Sequence, residues 1–598
     1  MSAIAMKRAL SASVMATGFA AVVSQIVCMR ELLVVFYGNE ISTAFMLASW
    51  LAGGAAGSAL SCRLSDRMRE PAAALACCQA VLIVLLPCAI VAIRSVKHAI
   101  GMNPGQIVPI SAMAASSMAI LAPICAVFGC IFALSCRIFS DLSGSAAKAG
   151  ANIGIAYVLE AAGAVAGGLA ASFVLIRLFG AIGIMAGLGA ALGLSALALA
   201  VIFLRGRPKA AYAAGIAAIM AIEAIFIASG GLRRIDTYSL NKQWSGYELV
   251  ESKNSIYGNV ALARYAAQLS FFDNGLHIYS IPQTQASEEA VHFAMLQHPG
   301  PKRVLIIGGG VAGLVAEALR YPVDRIDYVE LDPLIIGMAK ERLPGRDYGP
   351  LEDPRVRLHF EDGRAYVKRS GPVYDVVIVA LGDPYTAQLN RFYTKEFFGE
   401  AARAMREGGV LSFGLGSSES YLGRELRGFL GSIYVTLAAS FARVEVIPGE
   451  TAYFVASGLK GPLTCDYGEM ARRISARGLD LKYVRDYYLA SRLSPGNVSM
   501  VRKALSGENR SRINRDLHPI SYYYDMVYWS SRFRDSAVTA ALSSLTPANT
   551  LCAVAIAAIA MFAFGAPSVA RASALAVAVN GFSQMTFQVT ILIAFQAI

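Results

Sequence analysis

Three glycines, Gly308, Gly310 and Gly313, follow the apolar run VLII, and Glu330 stands near the end of the next apolar run, IDYVELD. Glycines in such a turn let backbone come close to a ligand and let the helix that follows aim its free N–H groups at it. An acid at that interval can hold ribose hydroxyls. A βα turn whose glycines serve packing alone is the plainer reading of GxGxxG, and the acid ending the second strand favours a nucleoside site instead. Two more acids, Asp362 in VRLHFEDG and Asp383 just past YDVVIVA, also lie at strand ends. Three acids converging there argue for a site more strongly than the glycines do. The loop after the fourth strand carries Asp383, Tyr385, Gln388, Asn390 and Tyr393, at the edge where a lid or acceptor pocket forms. For AQLNRFYTKEFF the simpler alternative is a helix start with an apolar face.

These residues need a scaffold. From Arg303 onward strands alternate with helices, as VLIIG, IDYVELD, VRLHFEDG, YDVVIVA, GVLSFGL, and then RVEVIPG with TAYFVAS. That pattern predicts an α/β doubly wound, Rossmann-like sheet with its ligands at the carboxyl ends of the strands. Ahead of it, YELVES, NVALARY, QLSFFDNG and LHIYSIP read as a small antiparallel β unit.

The rest of the chain belongs to a bilayer. Of 598 residues, 56% are hydrophobic and 16% charged, and the mean hydropathy is +0.51, far from the values of a soluble protein. Apolar spans near 12–35, 41–62, 72–93, 107–136, 151–178, 180–204 and 211–229 predict about seven membrane helices. Two more lie near 548–565 and 572–597. The first is too long and too closely followed by others for a cleaved signal peptide. Small residues four apart, Gly53 and Gly57, Gly163 and Gly167, Gly189 and Gly193, predict close helix packing. The formal charge of +12 sits in short Lys/Arg clusters between spans, such as Arg63, Arg67 and Arg69. That is a membrane-topology signal rather than a nucleic-acid one, and it places the N-terminus in the cytoplasm.

Seven crossings would carry the polar region outside. We therefore expect a miscount, at the stretch around Pro123 or at the last span, with the α/β domain cytoplasmic and the spans in the cell (inner) membrane. For Arg30, Glu31, Glu160 and Glu223 interhelical pairing is expected over a substrate path. Paired CxxC spacings are absent from the sequence, so no metal site is expected. Gly18, Phe19 and Gln25 match Gly581, Phe582 and Gln588 at one constant offset, which suggests a second membrane half and a truncated or split product.

From Tyr257 to Phe398 the sequence resembles the spermidine synthase family, the polyamine aminopropyltransferases, in a membrane-fused form. The markers are Tyr257-Gly258, FDNG from Phe272, Glu288-Glu289, MLQHP from Met295, VLIIGGG, VELD, Asp353-Pro354-Arg355-Val356, Glu361-Asp362-Gly363 and Gly382-Asp383-Pro384. The resemblance implies a fold of the S-adenosylmethionine-methyltransferase type with a small N-terminal β unit. It implies nucleoside binding by Gly308, Gly310, Gly313, Glu330, Asp362 and Gly363, with Asp362 meeting the adenine amino group. In the loop after the fourth strand Asp383, Tyr385 and Tyr393 are the candidate catalytic residues, polar groups that could substitute for acids missing on the acceptor side. Decarboxylated S-adenosylmethionine, or S-adenosylmethionine, is then the co-substrate, with no tightly bound cofactor and an amine such as putrescine as acceptor.

The family's GGGDGG reads GGGVAG here, and the first aspartate of its DxxDP segment is Ala380. Phe293 and Ala294 stand where polar residues are common, so the amine half is expected to be largely apolar. A catalytically silent nucleoside-binding domain on a transporter-like membrane protein is the alternative. The expected partners are the lipid bilayer and a small amine, without nucleic acid, and a homo-oligomer is compatible with the sequence. Domain boundaries are expected at 1–232 (membrane helices), 233–300 (linker and β unit), 301–545 (α/β domain) and 546–598 (C-terminal spans).

Overall fold

The structure, a computed structural model, describes residues 3–65, 67–142, 149–419, 421–461, 463–506, 512–533, 547–564 and 569–597. The chain divides into two compact units, Met1–Ala267 with Phe271–His277, and Gln268–Ser270 with Ile278–Ile598.

Long uncharged runs of Ala, Leu, Ile and Val leave no polar partner for the backbone except its own helix. The first unit is accordingly helical: α1 (Ala3–Phe36), α2 (Glu40–Ser65), α3 (Pro71–Ala99), α4 (Ile110–Asp141), α5 (Ala149–Ala170), a π turn leading to α6 (Ile176–Leu178), α7 (Ala181–Phe203), α8 (Gly206–Ala228) and α9 (Gly231–Gln243). Among the described residues seven helices are long and apolar enough to cross a membrane. Neither suspected stretch changes the odd count, because Pro123 lies inside α4 and Lys209–Ala228 qualifies as a span. A Cβ at Gly57 would stand 1.9 Å from Ala126 O and one at Gly163 2.0 Å from Met15 O, so α2 meets α4, and α1 meets α5, backbone to backbone. Glu31 pairs with Arg94 at 2.7 Å, and Arg94 also reaches Asp236 at 2.7 Å. Pairing of this kind offsets the cost of a charge held in an apolar unit.

The small β unit comprises β1 (Glu248–Asn254), β2 (Asn259–Tyr265), β3 (Gln268–Asp273) and β4 (Leu276–Ile281), neighbours in chain order. β1 and β2 pair antiparallel.

The second unit is built on β5 (Arg303–Ile307), β6 (Arg325–Glu330), β7 (Val356–Phe360), β8 (Tyr374–Val379), β9 (Met405–Gly416), β10 (Arg443–Ile447) and β11 (Thr451–Ser457). They form one sheet in the order β10-β11-β9-β8-β5-β6-β7. The pairs among β5 to β9 are parallel, and β11 runs antiparallel to both β9 and β10. The chain steps outward from β5 through β6 to β7, then returns to lay β8 on the other side of β5. Strand order thus reverses between β5 and β8, which opens a crevice at their carboxyl ends. All six residues of β8 are buried, as expected of a strand covered on both faces. Beneath the crevice Phe398, Phe413 and Phe454 stack with ring centroids 5.7 and 5.3 Å apart.

One buried cation ties the layers together. Arg364, in the helix Gly363–Arg369, donates to both oxygens of Glu400 at 2.8 and 3.2 Å and to both oxygens of Asp516 at 2.8 and 2.7 Å. The helices Pro547–Phe564 and Val569–Ala597 follow near the end of the chain.

Candidate active site

Gly308 and Gly309 take φ of +72° and +66°, turning the chain across the end of the sheet. Gly308 N donates to Val329 O at 3.0 Å and Ala380 N to Ile307 O at 2.9 Å, which seats the turn between the ends of β6 and β8. A Cβ at Gly310 would stand 2.5 Å from the Tyr328 ring. That ring holds Glu330: the Tyr328 hydroxyl donates to Glu330 Oε2 at 2.7 Å, and Leu331 N donates to Glu330 Oε1 at 2.9 Å. Burial raises the Glu330 carboxyl above its ordinary range, opposed by these two donors. Gly313, at φ +108°, closes the turn beside Ser287. Asp332, the last residue of VELD, has a different job, capping the helix Pro333–Arg342 through Leu334 N at 2.9 Å.

Asp362 is committed twice within the chain. It caps the helix Gly363–Arg369 by accepting from Ala365 N at 2.8 Å, and its other oxygen forms an ion pair with Arg391. Gly363 lies against β5, since a Cβ there would be 2.5 Å from Ile307 Cγ2. Both oxygens of Asp362 are thus engaged within the chain. Nothing near Asp362 in the sequence signals that arginine.

Asp383 follows β8 and accepts from Gly416 N at 2.8 Å. Tyr385 hydrogen-bonds to the same carboxylate. Tyr393 is fully buried and donates its hydroxyl to Gly382 O, so it braces the Asp383 loop from below. Gln388 is exposed. Asn390 is buried in a polar knot around Asn514, whose Nδ2 donates to Asn390 Oδ1 at 3.0 Å and Tyr393 O at 2.9 Å. Asn514 Oδ1 in turn accepts from Ser521 N at 3.2 Å. That last bond fixes the start of the helix Ile520–Ser531, which carries Asp525 and packs on the short helix Ala387–Asn390 just past Asp383.

Asp525 is 4% exposed. Burial and the charge of Asp383 raise its carboxyl well above the usual range, while burial raises Asp383 against Gly416, Tyr385 and Arg532. Asp525 hides in SYYYDMVYW, where its neighbours suggest only an aromatic face; Tyr524 does pack there, near Gly428.

Other markers are structural. Glu288 accepts from Lys482 N, Tyr483 N and Val484 N at 2.8, 2.7 and 3.0 Å, and Glu289 pairs with Arg492 at 2.9 Å. Phe293 is wholly buried, its ring edge-on to Tyr453 at 5.5 Å. Val311 is 2% exposed, packed inside the glycine turn.

The family described as "Spermine/spermidine synthase domain" matches residues 284–419. The polyamine aminopropyltransferase of Pyrobaculum aerophilum is 30% identical over 277 residues, which are 45% of this chain and 89% of that protein. The chain belongs to the polyamine aminopropyltransferase family. Its namesake in Korarchaeum cryptofilum is 35% identical over 195 residues, 30% of this chain and 60% of the relative. That of Nitrosomonas europaea is 33% identical over 199 residues, 33% and 61%. The chain thus spans about three fifths of the length of these two relatives. A crystal structure of spermidine synthase in complex with the transition-state analogue AdoDATO matches 43% of this chain and 88% of its own, at 24% identity and a TM-score of 0.38. The polyamine aminopropyltransferase fold here is preceded by the seven candidate membrane helices.

Proposed function

We propose that the α/β unit is a membrane-tethered aminopropyltransferase that uses decarboxylated S-adenosylmethionine and an amine such as putrescine. The observation that carries this reading is Glu330, buried at the end of β6 with each oxygen held by a fixed donor, opposite the glycine turn. In that position it accepts the ribose hydroxyls while Asp362 faces the adenine. A lone pair on the acceptor nitrogen attacks the sulfonium-bound carbon of the aminopropyl group, and the C–S pair leaves with sulfur as methylthioadenosine. The proton lost by the nitrogen passes to Asp383. The sulfonium supplies the driving force and the site supplies alignment and a base. The helices lie in a cell (inner) membrane, and with seven crossings a cytoplasmic α/β unit requires the N-terminus on the outer face.

The test is calorimetric titration of the full chain, in detergent, with methylthioadenosine, followed by a turnover assay with labelled decarboxylated S-adenosylmethionine and putrescine. Binding and transfer are expected. No affinity for any adenosyl thioether removes the reading.

Val311 and Ala380 favour a second reading, a nucleoside-binding domain without turnover, because both lack the family's acid. Ala380 is half-buried whereas Val311 is sealed in the turn, so a single Ala380→Asp substitution separates the two readings. If the active site is merely short of a base, Ala380→Asp raises aminopropyl transfer at least several-fold. Binding without transfer in both proteins points to the silent domain.

A further inference from the structure

The last turn of α3 buries a lysine that no described residue pairs as an ion. A lysine at the end of a membrane-length helix ordinarily extends its ammonium into water. Lys97, two residues before the end of α3, is instead 4% exposed. Its Nζ donates to the Tyr37 hydroxyl at 2.6 Å and lies 4.1 Å from the centre of the same ring. Tyr37 holds that position at φ +63°, in the left-handed region that a bulky side chain seldom adopts. Among the described residues Lys97 has no other hydrogen bond and no carboxylate within ion-pairing distance. An ammonium carries three N–H donors, so two are unspent and the charge has only an aromatic face beside it. Its neighbour one turn earlier differs, because Arg94 spends its guanidinium on Glu31, Asp236 and Ser239.

Lys97 lines a recess of about 250 Å³, counted out to the surrounding solvent, together with Val34, Val35, Arg94, Gln243 and Trp244. Gln243 is 7% exposed, and its side-chain amide has no hydrogen bond among the described residues. The indole N–H of Trp244, a residue 3% exposed, has none either. Arg94 sets the wall of the recess by joining α1, through Glu31, to α9, through Asp236 and Ser239, and α9 ends in Gln243. A buried cation and buried donors without acceptors are costly unless a ligand supplies the acceptors.

The length of α3 selects the ligand. Its 29 residues cover about 43 Å at 1.5 Å each, the thickness of a bilayer with both headgroup layers, about 40–45 Å. Lys97 then stands at the depth of the phosphates, where a basic recess between spanning helices suits an anionic headgroup. We propose that this recess is a phosphate site at the bilayer surface, with Lys97 supplying the charge and Gln243 and Trp244 supplying hydrogen bonds to the remaining oxygens. The site is independent of the transferase reading. A lipid headgroup and a free phosphate present the same oxygens to it.

The experiment titrates the full chain, in a neutral maltoside detergent, with three probes: a short-chain phosphatidylglycerol, the diacylglycerol of the same acyl chains, and inorganic phosphate. Tryptophan fluorescence reads binding, since Trp244 borders the recess, and the melting temperature checks folding. Wild type is expected to bind phosphatidylglycerol saturably and the diacylglycerol at least tenfold more weakly. Lys97→Gln is expected to lose at least tenfold in phosphatidylglycerol affinity. Binding of phosphatidylglycerol without binding of inorganic phosphate assigns the site to a lipid headgroup; inorganic phosphate that binds wild type and fails to bind K97Q assigns it to a free phosphate. Affinity within threefold of wild type in folded K97Q, equal binding of the diacylglycerol, or no saturable binding of either phosphate probe by wild type overturns the site. Where K97Q does not fold, Gln243→Leu decides, since it keeps the charge and removes one donor. At least a threefold loss is expected there, and unchanged affinity overturns the site.

Discussion

Glu330→Ala is expected to weaken methylthioadenosine binding by roughly 100-fold or more, since two hydrogen bonds from ribose to a charged acceptor contribute about 1.5–3 kcal/mol each. The effect goes beyond the lost contacts. Tyr328 donates to Glu330 and its ring lies under Gly310, so removing the carboxylate leaves a buried hydroxyl without its acceptor beneath the glycine turn. Glu330→Gln keeps an acceptor and loses the charge, and an intermediate affinity is expected. Calorimetry on both variants distinguishes the case from general unfolding, because Glu330→Gln preserves the side-chain volume. Equal affinity for all three proteins would place the ribose elsewhere.

Arg364→Ala is expected to destabilise the α/β unit by about 3–5 kcal/mol, the usual consequence of stripping one partner from a buried ion network. Glu400 is left buried at 8% side-chain exposure without its cation, and Asp516 loses both of its donors from Arg364. Asp362 and Gly363 immediately precede Arg364, so nucleoside affinity should fall with stability. Denaturant unfolding followed through Trp529, which lies in the helix Ile520–Ser531, reports on the same region. A loss below about 1 kcal/mol would show that solvent replaces the network and that the pairs are worth little, as exposed pairs are.

The pH behaviour follows from the same carboxylates. Asp383 and Asp525 are raised by burial, so the folded state holds protons that the unfolded state releases between the ordinary carboxyl range and the raised values. Their contribution to stability therefore falls as pH rises through that window.

Much of this was legible in the sequence because it is local. A strand, a glycine turn, a helix and a strand ending in Glu330 are contiguous, and each step is set by side-chain periodicity and by the freedom of a glycine at positive φ. The seven apolar helices were equally plain, since a bilayer leaves the backbone no other partner. Glycine pairs such as Gly53 and Gly57 announced close helix contact for the same reason of spacing. The expected repair of the odd span count did not appear, because a proline inside a helix as long as α4 does not split it.

What only the tertiary structure decided is which distant groups meet. Arg391 takes one oxygen of Asp362, Tyr393 turns inward to brace Gly382, and the helix that carries the buried Asp525 packs just past Asp383. No periodicity encodes these meetings. They depend on Asn514 and the Arg364 network fixing one helix against a loop far from it in the chain. The sequence determined a glycine turn between two strands and helices long and apolar enough to cross a membrane. Packing over long separations decided which groups surround the Asp383 loop.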